Sequence, residues 1–277
     1  MSAAKLPSVP AHGAQIPQIG LGTWQLHGDV LARAVEAAAE AGYRHFDTAP
    51  RYENEADLGR ALAATGLRRD SYFLTTKVWY TDLAAPALLA SAEASLERLR
   101  VDQVDLLLIH WPSPDVPLSE TIEALCEAAR RGYARHIGVS NFPARLMEQA
   151  IALADRPLVA NQCEYHPRLD QSALIETCRR NGMAFIAYSP IGSGHLLADP
   201  VIADIAATHG KSPAQIMLRW HLQQGVVAIP RSSSPERIRE NIALQDFELS
   251  EREMARLFAL NARDGRLYNP DWVTSWE

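Results

Sequence analysis

Short apolar runs alternate along the chain with longer segments in which apolar residues recur at helical spacing. Eight such runs occupy residues 20–23, 44–47, 73–77, 104–110, 136–140, 158–164, 184–188 and 226–230. The amphipathic segments include residues 30–41, 56–65, 83–99, 121–131, 144–153, 171–181 and 213–224. Because two neighbouring parallel strands must be joined by a crossover, which is usually a helix, this alternation predicts a parallel sheet covered by helices.

Eight strand–helix units indicate an α/β protein with the (β/α)8 architecture of a TIM barrel, and 277 residues is a usual length for one. An open, doubly wound sheet is the alternative, but its GxGxxG pattern is incomplete because residues 20–25 lack the third glycine. Residues 5–18, centred on His12-Gly13, predict a small hairpin that closes the bottom of the barrel. No linker divides the sequence, so residues 1–277 are predicted to form one domain.

Composition and charge exclude several classes of protein. The net charge of −6 gives no reason to expect a nucleic-acid partner, so an anionic ligand would need a local basic pocket. The three cysteines have no metal-binding spacing, which favours reduced thiols with a structural role. The sequence contains neither a signal-peptide core nor an apolar stretch of bilayer length, and a cytoplasmic protein without a membrane partner is expected.

Polar residues at the ends of the first apolar runs are the candidates for chemistry, because barrel enzymes carry their active sites at the carboxyl ends of the strands. Asp47 ends the second run and is followed by Tyr52, Lys77 ends the third, and His110 ends the fourth. A single lysine or histidine at such a position is more often structural. The joint pattern of four residues is what indicates an active site.

These four residue types can form a proton-donating group. A tyrosine hydroxyl is a poor acid, but a neighbouring lysine ammonium stabilises the phenolate and lowers its pKa. A carboxylate such as Asp47 is the expected partner of a lysine in a barrel mouth. A neutral His110 could either orient a substrate carbonyl or assist the transfer of a proton to it.

The same segments resemble the aldo-keto reductases, and the similarity extends along nearly the whole chain. It is closest to the bacterial 2,5-diketo-D-gluconate and methylglyoxal reductases. The matching stretches are GTW at 22–24, FDTA at 46–49, Tyr52 with NE at 54–55, TKVW at 76–79, LIHWP at 108–112, GVSNF at 138–142, NQCEYHP at 161–167, AYSPIGSG at 187–194 and IPRSSSPERIREN at 229–241. The resemblance implies that Tyr52 donates the proton, that Lys77 and Asp47 tune it, and that His110 orients the carbonyl.

The resemblance also implies a nicotinamide cofactor and its binding residues. Ser140, Asn141 and Gln162 would bind the carboxamide, with the ring of Tyr188 stacked on the nicotinamide. The full predicted set comprises Gly22, Thr23, Trp24, Asp47, Ser140, Asn141, Gln162, Tyr188, Ser189, Pro190, Ile191, Gly192, Arg231, Ser232, Arg237 and Asn241. On a purely structural interpretation, Ser140 and Asn141 cap the next helix, and Ser234 caps a helix that begins at Pro235.

Arg231, Ser232, Arg237 and Asn241 correspond to positions that hold the adenosine 2′-phosphate in the family, so NADPH is expected rather than NADH. In the family, lysine is common at the position of Arg231. Arginine in its place keeps the positive charge but changes the hydrogen-bond geometry. Small carbonyl compounds are the expected substrates, and a monomer is the expected state. The predicted substrate-binding residues are Trp24, Tyr52, Trp79, His110 and Trp111, and the tail residues Trp272 and Trp276 could add to the same wall.

Two other functions remain open from the sequence. A non-catalytic module that senses nicotinamide nucleotides, as in the channel subunits of this fold, would keep the cofactor residues. A lyase could use Lys77 as a Schiff-base amine, and activity without nicotinamide cofactor would support it. No metal site is predicted, since His110 has no ligand at metal-binding spacing and His166 stands alone beside Pro167.

Overall fold

The computed structural model describes residues 7–262, 265–273 and 276. Its strands are β1 (Ser8–Ala11), β2 (Ala14–Pro17), β3 (Leu21–Gly22), β4 (His45–Asp47), β5 (Phe73–Val78), β6 (Val104–Ile109), β7 (Ala134–Ser140), β8 (Leu158–Glu164), β9 (Ala184–Tyr188) and β10 (Val227–Ala228). Its α-helices are α1 (Gly28–Ala41), α2 (Glu55–Ala64), α3 (Ala85–Leu99), α4 (Leu118–Arg130), α5 (Ala144–Leu153), α6 (Ser172–Arg180), α7 (Pro200–His209), α8 (Pro213–Gln223), α9 (Pro235–Ile242) and α10 (Glu251–Phe258). The eight predicted runs all form strands, within a few residues of their expected bounds.

Strands β3 to β10 form one parallel sheet of eight strands in the order of the chain. The two edge strands are joined as well. The N–H of Gly20 donates to the carbonyl of Ala228 at 2.9 Å, and the N–H of Ala228 donates to the carbonyl of Gln18 at 2.9 Å. A parallel bridge pairs Ile19 with Ala228. The sheet therefore curls until its first strand meets its last, which is consistent with a (β/α)8 fold.

Gly22 is required where the first strand approaches the last. Its N–H donates to the carbonyl of Pro230 at 3.0 Å. A Cβ at this position would lie 2.7 Å from the carbonyl oxygen of Ile229, closer than a real Cβ tolerates. A side chain here would push the two strands apart, so the glycine is needed for the packing of the first strand against the last.

The predicted hairpin is present as the antiparallel pair β1–β2. His12 and Gly13 form its turn with positive φ angles of 44° and 89°, as the tight two-residue hairpin turns require. Ala11, Ala14 and Ile16 of the hairpin pack with the inward-facing residues of the strands in one buried cluster. Residues 5 and 6 of the predicted hairpin lie outside the described residues.

The helices form an outer layer around the strands and bury one face each. In α1, for example, Leu31, Ala34, Val35 and Ala38 are buried against the sheet and α2. Burial of a large aliphatic side chain contributes about 1.5–3 kcal/mol, so this layer supplies much of the stability.

Two helices, α7 and α10, were not predicted from the spacing of apolar residues. Helix α10 nevertheless carries a local signal, because Ser250 and Glu253 form a reciprocal capping box at its first turn.

The cysteines and Trp220, for which a structural role was predicted, are all buried. Cys126, Cys163 and Cys178 are buried free thiols, and burial raises the pKa of Cys163 to about 12. Trp220 is buried and packs on the ring of Tyr165, away from the barrel mouth. Among the described residues, no helix combines the length and the apolar character needed to cross a membrane.

Candidate active site

Four predicted residues from three adjacent strands meet at the carboxyl end of the sheet. Asp47 is the last residue of β4, Lys77 lies in β5, and His110 directly follows β6. Tyr52 lies in the short 3-10 turn Pro50–Tyr52 that follows β4. The structure brings all four together, because parallel strands end at the same rim of the barrel.

Lys77 is the centre of this group. Its ammonium Nζ donates to Asp47 Oδ1 at 2.6 Å, to the carbonyl of Thr48 at 3.0 Å and to the Tyr52 hydroxyl at 3.2 Å. Gln162 Nε2 donates to the other Asp47 oxygen at 2.7 Å. The side chain of Lys77 is fully buried, so each of its three protons is used and the charge is matched by the carboxylate.

Burial and charge act in opposite directions on the pKa of Tyr52. Burial raises the pKa of the Tyr52 hydroxyl above its ordinary value, and the Lys77 ammonium lowers it by a smaller amount. The lowering by lysine that the sequence indicated is present, but the net shift is upward because desolvation of the phenolate outweighs it. Tyr52 therefore holds its proton at neutral pH, beside a cation that would stabilise the phenolate once the proton leaves.

Lys77 is held in its charged form. Burial lowers the pKa of Lys77, but Asp47 and Tyr52 together raise it by more, so the net shift is upward. A Schiff-base nucleophile needs a neutral amine, so this environment disfavours the lyase interpretation.

His110 is buried and neutral. Burial and the nearby cations Lys77 and Arg51 hold its pKa well below the ordinary value for histidine. Its Nδ1 has no hydrogen-bond partner among the described residues, and its ring packs edge-on against Tyr52 and Trp79. A neutral imidazole beside the tyrosine hydroxyl can hydrogen-bond to a carbonyl without competing for the proton.

A cleft of about 910 Å³ opens above these residues, a volume within the usual range for small-molecule sites. Most of the predicted cofactor and substrate residues line it, namely Gly22, Thr23, Trp24, Asp47, Tyr52, Trp79, His110, Trp111, Asn141, Gln162, Tyr188, Ser189, Pro190, Ile191, Arg231 and Arg237. Five predicted site residues do not line it, namely Lys77, Ser140, Gly192, Ser232 and Asn241.

Amide and hydroxyl groups after β7, β8 and β9 form a network at the cleft. Ser140 Oγ donates to the carbonyl of Gln162 at 2.7 Å, and Asn141 Nδ2 donates to the carbonyl of His110 at 3.0 Å. The Tyr188 hydroxyl donates to Asn141 Oδ1 at 2.9 Å. The structural interpretation of Ser140 and Asn141 as helix caps was wrong, since α5 begins after Pro143 without a side-chain cap.

The loop after β9 and the start of α9 border the other end of the cleft. Gly192 has a positive φ of 58°, and a Cβ there would meet the Leu196 side chain at 2.9 Å. Arg231 and Arg237 are exposed and have no ion-pair partner among the described residues, so both can meet an anion at this end. Ser234 caps α9 by accepting from the N–H of Arg237, as the alternative structural interpretation predicted.

Sequence reasoning missed several residues of the site. Arg51 lines the cleft, and its guanidinium lies over the Trp79 ring with 5.6 Å to the ring centroid. Asn54 donates from Nδ2 to the carbonyls of Thr23 and Leu26, both at 2.8 Å, and so ties the loop after β3 to the start of α2. Leu267, Tyr268, Asn269 and Pro270 of the tail line the cleft together with Trp272. Arg51 lies next to Tyr52 in sequence, and Asn54 belongs to the matching stretch at 54–55, although no role in the site was assigned to either.

Comparison with known proteins agrees with this geometry. The model of the aldo/keto reductase family matches residues 18–262. The glyoxal reductase of Bacillus subtilis is 42% identical, with 94% of each chain covered. The methylglyoxal reductase DkgB of Escherichia coli O157:H7 is 40% identical, with 95% of this chain and 99% of the relative covered. The chain belongs to the aldo-keto reductase family, whose members are oxidoreductases that act on carbonyl compounds.

Solved structures give the same result for the fold. A crystal structure proposed to be that of a 2,5-diketo-D-gluconic acid reductase B has a TM-score of 0.94 and 43% identity, with 96% of this chain and 95% of that chain covered. The aldo-keto reductase of the silkworm Bombyx mori in complex with NADP has a TM-score of 0.87 and 34% identity, with 94% of each chain covered. The predicted family is thereby confirmed.

Proposed function

We propose that this chain reduces small aldehydes and ketones with NADPH as hydride donor and Tyr52 as proton donor. The preferred substrates are ketoaldehydes such as methylglyoxal and keto sugars or acids such as 2,5-diketo-D-gluconate. The observation that carries the proposal is the buried chain of hydrogen bonds that runs from the Tyr52 hydroxyl through Lys77 to Asp47 at the cleft. The names of the glyoxal and methylglyoxal reductases to which the chain is similar support the substrate class.

The proton of Tyr52 is delivered where negative charge develops on the substrate oxygen. When bound, NADPH supplies the hydride to the carbonyl carbon. Tyr52 then transfers its hydroxyl proton to the oxygen, and the adjacent Lys77 ammonium stabilises the phenolate that remains. Asp47 keeps Lys77 charged and oriented, and Gln162 fixes the second carboxylate oxygen.

His110 orients the carbonyl. Its ring lies 5.6 Å from the ring of Tyr52 and both line the cleft, so we expect one carbonyl oxygen in the cleft to accept hydrogen bonds from both. Trp79 and Trp111 border the same part of the cleft and exclude water from the reacting atoms.

The chain's own residues fit a dinucleotide that carries a 2′-phosphate. Asn141 and Gln162 present amide groups to the cleft beside the Tyr188 ring, which suits a carboxamide and a flat heterocycle. Ser193 and Gly194 of the loop after β9 line the cleft, and their small size permits close approach of a pyrophosphate. Arg231 and Arg237 supply positive charge in a chain whose net charge is −6.

Replacing Arg237 by alanine is expected to weaken NADPH binding by about 10-fold to 100-fold, as the loss of one charge-assisted hydrogen bond implies. NADH binding should change little, because NADH has no 2′-phosphate. Fluorescence titration with both cofactors measures the effect. Arg239→Ala is the matched control, since Arg239 lies on the same helix but pairs with Glu40 and does not line the cleft. Equal losses for NADPH and NADH would contradict the assignment.

The proposed reaction is tested by following NADPH absorbance with purified protein. Methylglyoxal, 2,5-diketo-D-gluconate and an aromatic aldehyde are expected to drive oxidation of NADPH, with NADH much less effective. Tight binding of NADPH without oxidation by any of the three would contradict the proposal and favour the nucleotide-sensing module. Activity without any nicotinamide cofactor would contradict it as well.

A further inference from the structure

Glu164, the last residue of β8, is a fully buried carboxylate that the proposed reaction does not use. Oε1 accepts from the backbone N–H of Leu267 at 2.7 Å and lies 2.9 Å from His166 Nε2. Oε2 accepts from the backbone N–H of Tyr268 at 2.9 Å. A buried carboxylate is costly unless it is hydrogen-bonded, and here two of its partners come from a segment about a hundred residues away in sequence.

The segment that Glu164 holds carries side chains into the cleft. The Tyr268 ring packs edge-on against the rings of Trp24 and Tyr188, with centroids 5.5 Å and 5.6 Å away. Four residues further on, Trp272 stacks on Tyr80 at 4.7 Å.

Trp272 also completes an aromatic wall. Its ring meets those of Trp79 and Trp111 edge-on, both at 6.2 Å. All three tryptophans line the cleft, and Trp79 in turn contacts His110. The position of Trp272 therefore decides the shape of the space where a substrate larger than methylglyoxal would extend from His110.

Apart from the ring contacts of Tyr268, Glu164 supplies the main polar contacts of Leu267 and Tyr268 among the described residues. In the described part of the tail, residues 265–273 form neither helix nor strand, and Leu267 is exposed. Tyr268 has a weak side-chain contact with Ser193 at 3.3 Å, whereas its backbone N–H is bound by Glu164. The buried carboxylate is the strongest polar attachment of this stretch.

We propose that Glu164 is a positioning residue that determines substrate specificity, because its carboxylate holds the tail in the position at which Trp272 walls the cleft. The inference rests on the proposed carbonyl reduction. Glu164 does not touch the reacting atoms and acts through the tail. It therefore affects substrates that reach the aromatic wall and leaves the smallest substrates largely unaffected.

The test compares a bulky aromatic aldehyde with methylglyoxal as substrates of Glu164→Gln. The neutral amide has one acceptor oxygen where the carboxylate uses two, so the tail loses one attachment. We expect KM for the aromatic aldehyde to rise by about 10-fold, the size of a lost apolar pocket contact, while kcat and KM for methylglyoxal change little. Glu176→Gln removes the same charge from the exposed surface of α6 and is expected to leave both substrates unchanged.

Two further variants separate positioning from a general structural defect. Leu267→Pro removes the backbone N–H of the tail that donates to Glu164 and leaves the residues of the barrel unchanged. It should give the same substrate-selective rise in KM. Trp272→Ala removes the wall itself, so adding Glu164→Gln to it should raise KM for the aromatic aldehyde no further. Equal losses for both substrates, or additive effects in the double variant, would overturn the inference.

The outcome distinguishes this inference from the proposed function. If the unmodified protein oxidises NADPH with neither aldehyde, the proposed function fails. The unmodified protein could instead reduce both aldehydes. If the ratio of its two kcat/KM values is then unchanged in Glu164→Gln and in Leu267→Pro, only the role of Glu164 fails.

Discussion

Replacing Tyr52 by phenylalanine is expected to lower kcat for methylglyoxal by about 10²- to 10⁴-fold, the usual contribution of a positioned general acid. The substitution removes the hydroxyl that lies 3.2 Å from Lys77 Nζ and keeps the ring that packs against His110. The cleft should therefore retain its shape, and NADPH should bind with unchanged affinity. Stopped-flow measurement of NADPH oxidation, together with cofactor titration, gives both quantities.

The control for this variant is Tyr43→Phe. Tyr43 is buried and its hydroxyl donates to the carbonyl of Ile238 at 3.1 Å, but it does not line the cleft. Its loss should cost stability without slowing turnover. If Tyr52→Phe kept more than about a hundredth of the activity, the smallest loss compatible with a general acid would be absent and another proton donor would have to be sought.

Replacing Lys77 by methionine is expected to lower the free energy of unfolding by about 3–5 kcal/mol, the cost of leaving one partner of a buried ion pair unpaired. The Asp47 side chain is nearly inaccessible to solvent, and without Lys77 it keeps only the Gln162 amide as a side-chain hydrogen-bond partner among the described residues. Turnover should fall as well, since no cation remains to stabilise the phenolate of Tyr52. Denaturant unfolding and the NADPH assay measure the two effects.

A double variant distinguishes the two roles of Lys77. Asp47→Asn added to Lys77→Met removes the unpaired charge, so the double variant is expected to regain much of the lost stability while remaining inactive. If Lys77→Met unfolds as the unmodified protein does, the ion pair contributes no net stability. If the double variant recovers turnover, Lys77 has no part in proton transfer.

The fold and the meeting of the four candidate catalytic residues could be predicted because their signals are local. The apolar runs and amphipathic segments have periods that their own backbone geometry imposes, so strands and helices follow from short windows of sequence. Asp47, Tyr52, Lys77 and His110 lie at or just beyond strand ends, and parallel strands bring such positions to one rim. That the chain is a cytoplasmic monomer of one domain stays a prediction.

Other features depended on contacts between distant segments. Glu164 ends a strand like several other residues, and nothing near it in sequence indicates that its carboxylate binds the N–H groups of Leu267 and Tyr268. The sequence also contained no measure of the burial around Tyr52, which is why the upward net direction of its pKa was not anticipated. Burial is a property of the packed molecule, and so is the pKa that follows from it.

The sequence by itself determined the order of the strands, the rim on which the proposed catalytic residues meet and the family to which the chain belongs. The tertiary structure decided which groups are hydrogen-bonded or ion-paired, namely Lys77 with Asp47 and Tyr52, and Glu164 with the tail. The physical reason is that periodicity acts through neighbouring residues along the backbone. Desolvation and hydrogen bonding act through space, and they depend on packing that joins strands and a tail far apart in the chain.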